Sequence, residues 1–335
     1  MKTILFKIIN FFGVYVEKLH SPKVFLNSLE KKPLIIKEYE IRKKTNFAAI
    51  VENHEYYNNL LKEDIPDWNL HIERAKFIGK GIGASSLDTF RKVYIDGKPF
   101  FEKVYFNSFP ELENILWFQE HYYQELIKQI RTSKIEKVIK GNIMSVVYFE
   151  FLDLKPVTCE ELEGSLIEIS KVLYNLPLKE NSEKFSILSI DFRKHFEYKR
   201  NIKTIKEDFI KLGISFEYFE RRADSSSCVF THGDIQKTNV FKEMTLIDWD
   251  SFGFFPVGFE QAFIYYRFLF EDIQCGLPLD WILKNYKNKI SDNNWQDFER
   301  NFIYFLTIFS FSLFKENKHK NILLILINYL KKHND

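Results

Sequence analysis

Near residue 157 the hydrophobic period of the chain changes, and that change limits the possible folds more than any other feature of the sequence. Between Ala75 and Phe151 apolar residues fall in short extended runs: Phe77-Ile78, two runs flanking Asp96-Gly97, Lys137 to Ile139, and Ser145 to Phe151. Side chains alternating with period two line one face of a sheet, and Asp-Gly between two such runs marks a hairpin. From Cys159 the spacing becomes helical, over about 160–175, 200–222, 258–274 and 294–331, with one strand-rich interruption between Val229 and Asp250. An α+β fold is therefore expected, with a small β-rich lobe carrying one helix (Glu111 to about Ile130) and a larger helical lobe. The expected divisions are a mostly helical extension at 1–74, the small lobe and its connection at 75–157, and the helical lobe at 158–335. Thirty-five Phe against only 12 Gly and 9 Pro suit long buried helices better than a turn-rich all-β fold.

Charge and cysteine usage narrow the function classes. Lys plus Arg number 48 and Asp plus Glu 46, a net charge of +2, which is too balanced for a protein held on nucleic acid by charge. Cys159, Cys228 and Cys275 are far apart and contain no CxxC pair, so neither a disulfide framework nor a zinc knuckle is expected, and a reducing cytoplasm fits. The apolar stretch after Met1 lacks a small-x-small cleavage site. Its residues Leu5, Ile8, Ile9, Phe12 and Val16 recur at helical spacing, which reads as an amphipathic helix docked on the body, with peripheral membrane contact as the alternative. The runs Phe302 to Phe314 and Ile322 to Leu330 fall short of the ~20 residues that a membrane span needs and read as core helices.

Chemistry concentrates between Thr231 and Asp250. The order is an apolar strand start, Val229-Phe230, then Thr231-His232-Gly233-Asp234-Ile235-Gln236-Lys237-Thr238-Asn239, then a hairpin ending in Leu246-Ile247-Asp248-Trp249-Asp250. Phosphoryl transfer asks a protein for a carboxylate aimed at the incoming hydroxyl and for oxygen ligands to the cations that neutralise phosphate. Asp234, Asn239 and Asp248 are groups of that kind, and Mg²⁺ takes such hard oxygen ligands while keeping several waters. Alone, Asp234 and Asn239 would each more often be a turn-forming Asx residue that caps neighbouring backbone.

The His-x-Asp-x-x-x-x-Asn pattern followed by Ile-Asp-Trp-Asp resembles the catalytic loop and metal-binding segment of the aminoglycoside phosphotransferase and choline kinase superfamily, which are small-molecule kinases with a protein-kinase-like two-lobe fold. The resemblance runs in order over roughly residues 75 to 330, most specifically at 231–250. It implies ATP and Mg²⁺ as cofactors and a small-molecule hydroxyl as acceptor. By the same resemblance Asp234 is the catalytic carboxylate, Asn239 and Asp248 are metal ligands, and His232 is a structural imidazole rather than the base. Asp250 is either a second metal contact or a solvated acid. Glu260 stands where the family usually has an Asp that opens the next helix. Lys103, at the end of a strand, corresponds to the phosphate-binding Lys, with Glu111 as its ion partner and Glu113 or Glu120 as alternatives. Gly79, Gly81 and Gly83 form either a plain hairpin turn or a phosphate-cradling loop with backbone amides near Ala84 to Ser86, Ser85 included. Phe149-Glu150-Phe151-Leu152 reads as the hinge whose backbone groups at Glu150 meet adenine.

Two competing functions remain at this level. A protein kinase would carry Arg where Gly233 stands and a longer loop between Asp250 and Glu260. A catalytically dead nucleotide-binding scaffold would not need Asp234, Asn239 and Asp248 together. A cationic acceptor would call for acids or aromatics in the helical lobe, where Glu217, Glu220, Asp224, Trp281 and Tyr304 are available.

Overall fold

The computed structural model describes residues 54–79, 90–176, 191–271, 283, 286, 295–315 and 320–334. The chain divides into two compact units, one formed by residues up to Phe109 with Lys137–Tyr148, the other by Pro110–Glu136 with the chain from Phe149 onward.

The first unit is built on a five-stranded sheet of order β1-β2-β3-β5-β4. Its strands are β1 (Arg74–Gly79), β2 (Phe90–Ile95), β3 (Lys98–Phe106), β4 (Ile135–Lys140) and β5 (Met144–Glu150). β1 pairs with β2 and β2 with β3, both antiparallel. At the β2–β3 turn Asp96 and Gly97 both have positive φ, 51° and 72°. That backbone matches the twist of the flanking strands, which is why Asp-Gly marks such a turn. One sheet face carries Val93, Val104 and Phe106, packed with Leu61, Ile65 and Trp68 from and beyond helix α1 (His54–Asp64). On that face Arg91 and Glu102 stand opposite each other in register and form a bidentate ion pair at 2.7 and 2.9 Å. The Arg91 guanidinium also donates to Asn58 at 3.2 Å and lies 4.6 Å from the Trp68 ring centroid.

Leu60, Leu61, Ile65 and Trp68 thus pack in this core, within the segment 1–74 read above as an extension. Asp64 at the end of α1 secures the attachment, its carboxylate accepting the backbone N–H groups of Asn142, Ile143 and Met144 in the β4–β5 connection. The N-terminal amphipathic pattern at Leu5 to Val16 lies outside the described residues.

The second unit is mostly helical. Helices α2 (Glu111–His121), α3 (Tyr123–Leu126), α4 (Cys159–Tyr174), α5 (Phe196–Lys211), α6 (Phe216–Ser225), α7 (Phe259–Glu271), α8 (Trp295–Lys315) and α9 (Lys320–Lys332) surround two short strand pairs. One is β6 (Cys228–Thr231) with β9 (Gly253–Pro256), the other β7 (Val240–Phe241) with β8 (Thr245–Leu246). α4 opens with a capping box, Thr158 and Glu161 satisfying each other's backbone N–H. α8 presents Phe298, Phe302, Phe305 and Phe309 along one face, all fully buried. Rings of α7 meet them, Phe259 at 4.8 Å from Phe305 and Phe263 at 5.8 Å from Phe309. Burial of each such ring contributes about 1.5–3 kcal/mol, so this seam fixes where α7 begins. Gly258 just before α7 has φ +92 and no room for a Cβ, which would lie 2.6 Å from the Phe298 carbonyl oxygen.

Two expectations are corrected here. The helix expected over 200–222 is two helices, because Gly213 at φ +71 ends α5 in a left-handed turn. Ile214 N–H donates to Phe209 O and Gly213 N–H to Ile210 O, the Schellman pattern, and Ser215 then caps α6 through the Tyr218 N–H. Cys159 is disulfide-bonded, against the expectation of wholly reduced thiols, while Cys228 is free. Spacing in sequence does not reveal which cysteines fold close together. No helix among the described residues is long and apolar enough to cross a membrane.

Candidate active site

Loop 232–239 leaves β6 and returns into β7, held by contacts to its backbone from several directions. Thr231 closes β6 opposite Gly253, and its hydroxyl donates to the Gly253 carbonyl at 3.1 Å. His232 is fully buried. Its Nε2–H donates to the Ile247 carbonyl at 2.9 Å and its Nδ1 accepts the Asp234 N–H at 3.2 Å, an arrangement that requires the neutral ring. Burial lowers its pKa to about 4, against the opposing pulls of the Asp248 carboxylate and the Ile247 carbonyl. With both nitrogens committed to backbone, His232 orients the loop and does not serve as a base.

Glu260, in the first turn of α7, accepts the N–H groups of His232 at 2.7 Å and Gly233 at 2.9 Å. Burial raises its pKa to about 7, with those two hydrogen bonds opposing the rise. Gly233 has φ +78, and a Cβ there would lie 2.1 Å from the Ser251 carbonyl oxygen. The position before Asp234 can therefore hold only glycine.

Asp234 is partly buried, and its Oδ2 accepts from Gln236 Nε2 at 3.0 Å. Asn239 turns its amide nitrogen to Asp234, donating to the backbone carbonyl at 2.9 Å and to Oδ2 at 3.3 Å. The five-residue spacing thus brings the carboxylate and the amide side by side. The β7–β8 hairpin then returns the chain, with Ile247 N–H donating to Asn239 O at 3.1 Å. Asp248 follows in the left-handed region at φ 69, ψ 62 and is exposed. Asp is one of the few residues that tolerate this conformation, since its short side chain hydrogen-bonds locally. Asp250 sits in the single turn Trp249–Ser251. Trp249 anchors that turn by donating to Thr132 Oγ1 at 2.8 Å and stacking on Phe118 at 4.6 Å.

The oxygens of Asn239, Asp248 and Asp250 are hard donors of the type Mg²⁺ takes, and two or three protein ligands suit an ion that keeps several waters. Among the described residues no group of three or more His, Cys, Asp or Glu side chains is placed to hold a metal ion.

The remaining residues expected at a nucleotide site are distributed as follows. Lys103 is buried on β3, on the sheet face opposite Val104, with Nζ 5.0 Å from the Tyr105 ring centroid and 5.7 Å from that of Phe90. Glu111 opens α2. Glu150 ends β5, and its N–H donates to Lys134 O at 2.8 Å. Gly81, Gly83 and Ser85 lie outside the described residues.

Residues that the motif did not suggest also hold this loop. His195, just before α5, donates its Nε2–H to the Gly233 carbonyl at 2.5 Å, and its buried Nδ1 has no hydrogen-bond partner among the described residues. Burial lowers its pKa to about 4, the Gly233 carbonyl opposing and the Arg267 charge reinforcing the shift. Arg267 on α7 brings Nη2 to 4.0 Å from Asp234 Oδ1 and to 4.0 Å from Oε1 of buried Glu197. Arg267 lies seven residues after Glu260, two helical turns along the same face, which is the one signal in the sequence that links them.

No family model and no curated protein sequence matches the chain. Solved structures do. The choline kinase of Cryptosporidium parvum Iowa II matches at 15% identity and TM-score 0.46, over 84% of this chain and 95% of that one. The ethanolamine kinase of Plasmodium vivax matches at 14% identity and TM-score 0.47, over 88% and 91%. An aminoglycoside phosphotransferase of Streptomyces rimosus matches at 11% identity and TM-score 0.46, over 75% and 97%.

Proposed function

We propose that this protein is an ATP- and Mg²⁺-dependent phosphotransferase that moves the γ-phosphate to a hydroxyl of a small molecule. The observation that carries the reading is the coupling of Asp234 to Asn239, followed across one hairpin by Asp248. Asp234 receives or orients the acceptor hydroxyl proton. Asn239 and Asp248, with Asp250 beside them, hold Mg²⁺, which when bound supplies charge neutralisation for the phosphates. Lys103 would meet the α- and β-phosphates, and Glu111 is the ion partner that the resemblance implies for it. The loop containing Gly81, Gly83 and Ser85 cradles phosphate through backbone amides, and backbone groups at Glu150 meet the adenine. The clash that any Cβ would make at Gly233 supports a small-molecule acceptor, because an Arg that reads a phosphorylated activation loop has no place there.

The test is incubation of the purified protein with γ-labelled ATP, Mg²⁺ and pooled hydroxyl compounds (aminoglycosides, choline, ethanolamine and simple sugars). Label transferred by the wild type and lost in Asp234→Asn, with Mg·ATP binding retained, is the expected result. Equal turnover in the variant would remove the mechanism.

A further inference from the structure

The main chain of Asp234 is held on both sides. Its N–H donates to Nδ1 of His232 at 3.2 Å, and its carbonyl accepts from the Asn239 amide at 2.9 Å. These bonds fix where the side chain begins but not how the carboxylate turns, because the terminal torsion of Asp is broad and two-fold rather than staggered. A hydrogen bond to one carboxylate oxygen is what settles that rotation.

Two amides reach the same oxygen. Gln236 Nε2 donates to Oδ2 at 3.0 Å and Asn239 Nδ2 at 3.3 Å, while Oδ1 stands on the side of Arg267, whose Nη2 is 4.0 Å away. The orientation of the Gln236 amide is dictated by the carboxylate, since an amide oxygen turned toward Oδ2 would set lone pairs against lone pairs. The Gln236 bond is the shorter of the two, and the Asn239 nitrogen divides its donors between Oδ2 and the Asp234 carbonyl. Gln236 is itself seated by its neighbours. Its carbonyl accepts the Asn239 N–H at 2.9 Å, closing a turn over 236–239, and Ile235 beside it is fully buried. The Gln236 side chain is half-buried, whereas Lys237 and Thr238 next in the chain are exposed. A bond to an ionised acceptor is stronger than one between neutral groups, which suits an amide whose task is to hold a carboxylate still.

We propose that Gln236 is a positioning residue for phosphate transfer: its amide fixes Oδ2 of Asp234 and thereby sets how that carboxylate meets the acceptor hydroxyl. The inference rests on the kinase reading above and adds to it a residue that acts through Asp234. In this role Gln236 serves the transfer step, and neither nucleotide nor acceptor needs its contact in order to bind.

The test compares the wild type with Gln236→Met, which keeps the length of the side chain and removes the donor, and with Gln236→Lys, which keeps an N–H donor one atom farther out. Each full chain is assayed with Mg²⁺ for transfer of label from γ-labelled ATP to aminoglycosides, choline, ethanolamine, simple sugars and water. Calorimetric titration with Mg·ADP and a thermal melt accompany each assay. Gln236→Met should lose roughly ten- to a hundredfold in kcat, as for a catalytic group turned out of its productive geometry, with the acceptor KM and Mg·ADP affinity within about twofold of wild type. Gln236→Lys should recover a good part of the lost kcat. A Gln236 that touches the acceptor instead would show its loss in KM, and one that only supports the fold would show it in a melting temperature that falls with kcat. Either result overturns the assignment, as does an unchanged kcat in Gln236→Met or an equal loss in both variants. A wild type that transfers label to none of these, water included, overturns the kinase reading itself, and the role of Gln236 with it.

Discussion

The imidazole of His195 donates its Nε2–H to the carbonyl oxygen of Gly233, while the N–H of that same glycine is held by Glu260. The peptide groups leading to Asp234 are thereby gripped from both sides by residues 38 and 27 positions away. Gln at position 195 can still donate to the carbonyl, whereas Phe fills the aromatic surroundings and cannot. His195→Gln is therefore expected to keep most of the turnover. His195→Phe should lose roughly ten- to a hundredfold in kcat, the cost of a misplaced catalytic group, with Mg·ATP affinity nearly unchanged. Steady-state kinetics of the two variants beside nucleotide binding decide it; equal kcat in both would remove the positioning role.

Stability should fall in mild acid. His195 and His232 are each depressed from 6.5 to about 4, so the unfolded chain binds protons first and their contribution, complete above 6.5, is lost as pH drops toward 4. Glu260 runs the other way: raised from 4.5 to about 7, it contributes stability below 4.5 that is lost as pH rises through 7. Two losses against one gain leave a net loss of roughly 2–3 kcal/mol between pH 7 and 4.5. Urea unfolding at the two pH values measures it. In His195→Gln one of the two losses disappears, so the variant should show a clearly smaller drop.

Gly233→Ala should be among the most damaging single changes in the second unit. The added methyl group lies 2.1 Å from a backbone oxygen at a φ of +78, and no flexible side chain can move aside. Strain and displacement together are expected to cost about 2 kcal/mol or more and to abolish transfer. A thermal melt with a parallel label-transfer assay shows both effects.

In the first unit the Arg91–Glu102 pair is almost wholly buried, with side-chain exposures of 2% and 0%. Removing one partner strands a buried charge, so Arg91→Met or Glu102→Leu alone should cost about 3–5 kcal/mol, while the two together should be far closer to wild type. A double-mutant cycle by denaturant titration gives the coupling; additive costs would show that the ion pair contributes nothing of its own.

Local chemistry made much of this chain legible without coordinates. Asp96-Gly97 needs no context to turn a hairpin, and the apolar run that starts at Phe302 marks a core helix. The Asp234 and Asn239 spacing is likewise local, five residues closing on themselves. Gly213 was equally local, but the helical periodicity on either side of it masked a break that one positive φ creates.

What the linear order does not contain is which distant groups reach the loop at 232–239. Asp234 and Asn239 come together through their own short loop, so their types and order determined the chemistry on offer. The grip on Gly233 by His195, Glu260 and the Ser251 carbonyl, the Arg91–Glu102 pair across two strands, and the seat of Arg267 between Asp234 and Glu197 depend on helices and strands packing face to face. The contacts of Glu260 and Arg267 arise because burying the aromatic seam of α7 and α8 fixes how α7 lies, and only the assembled core supplies that constraint.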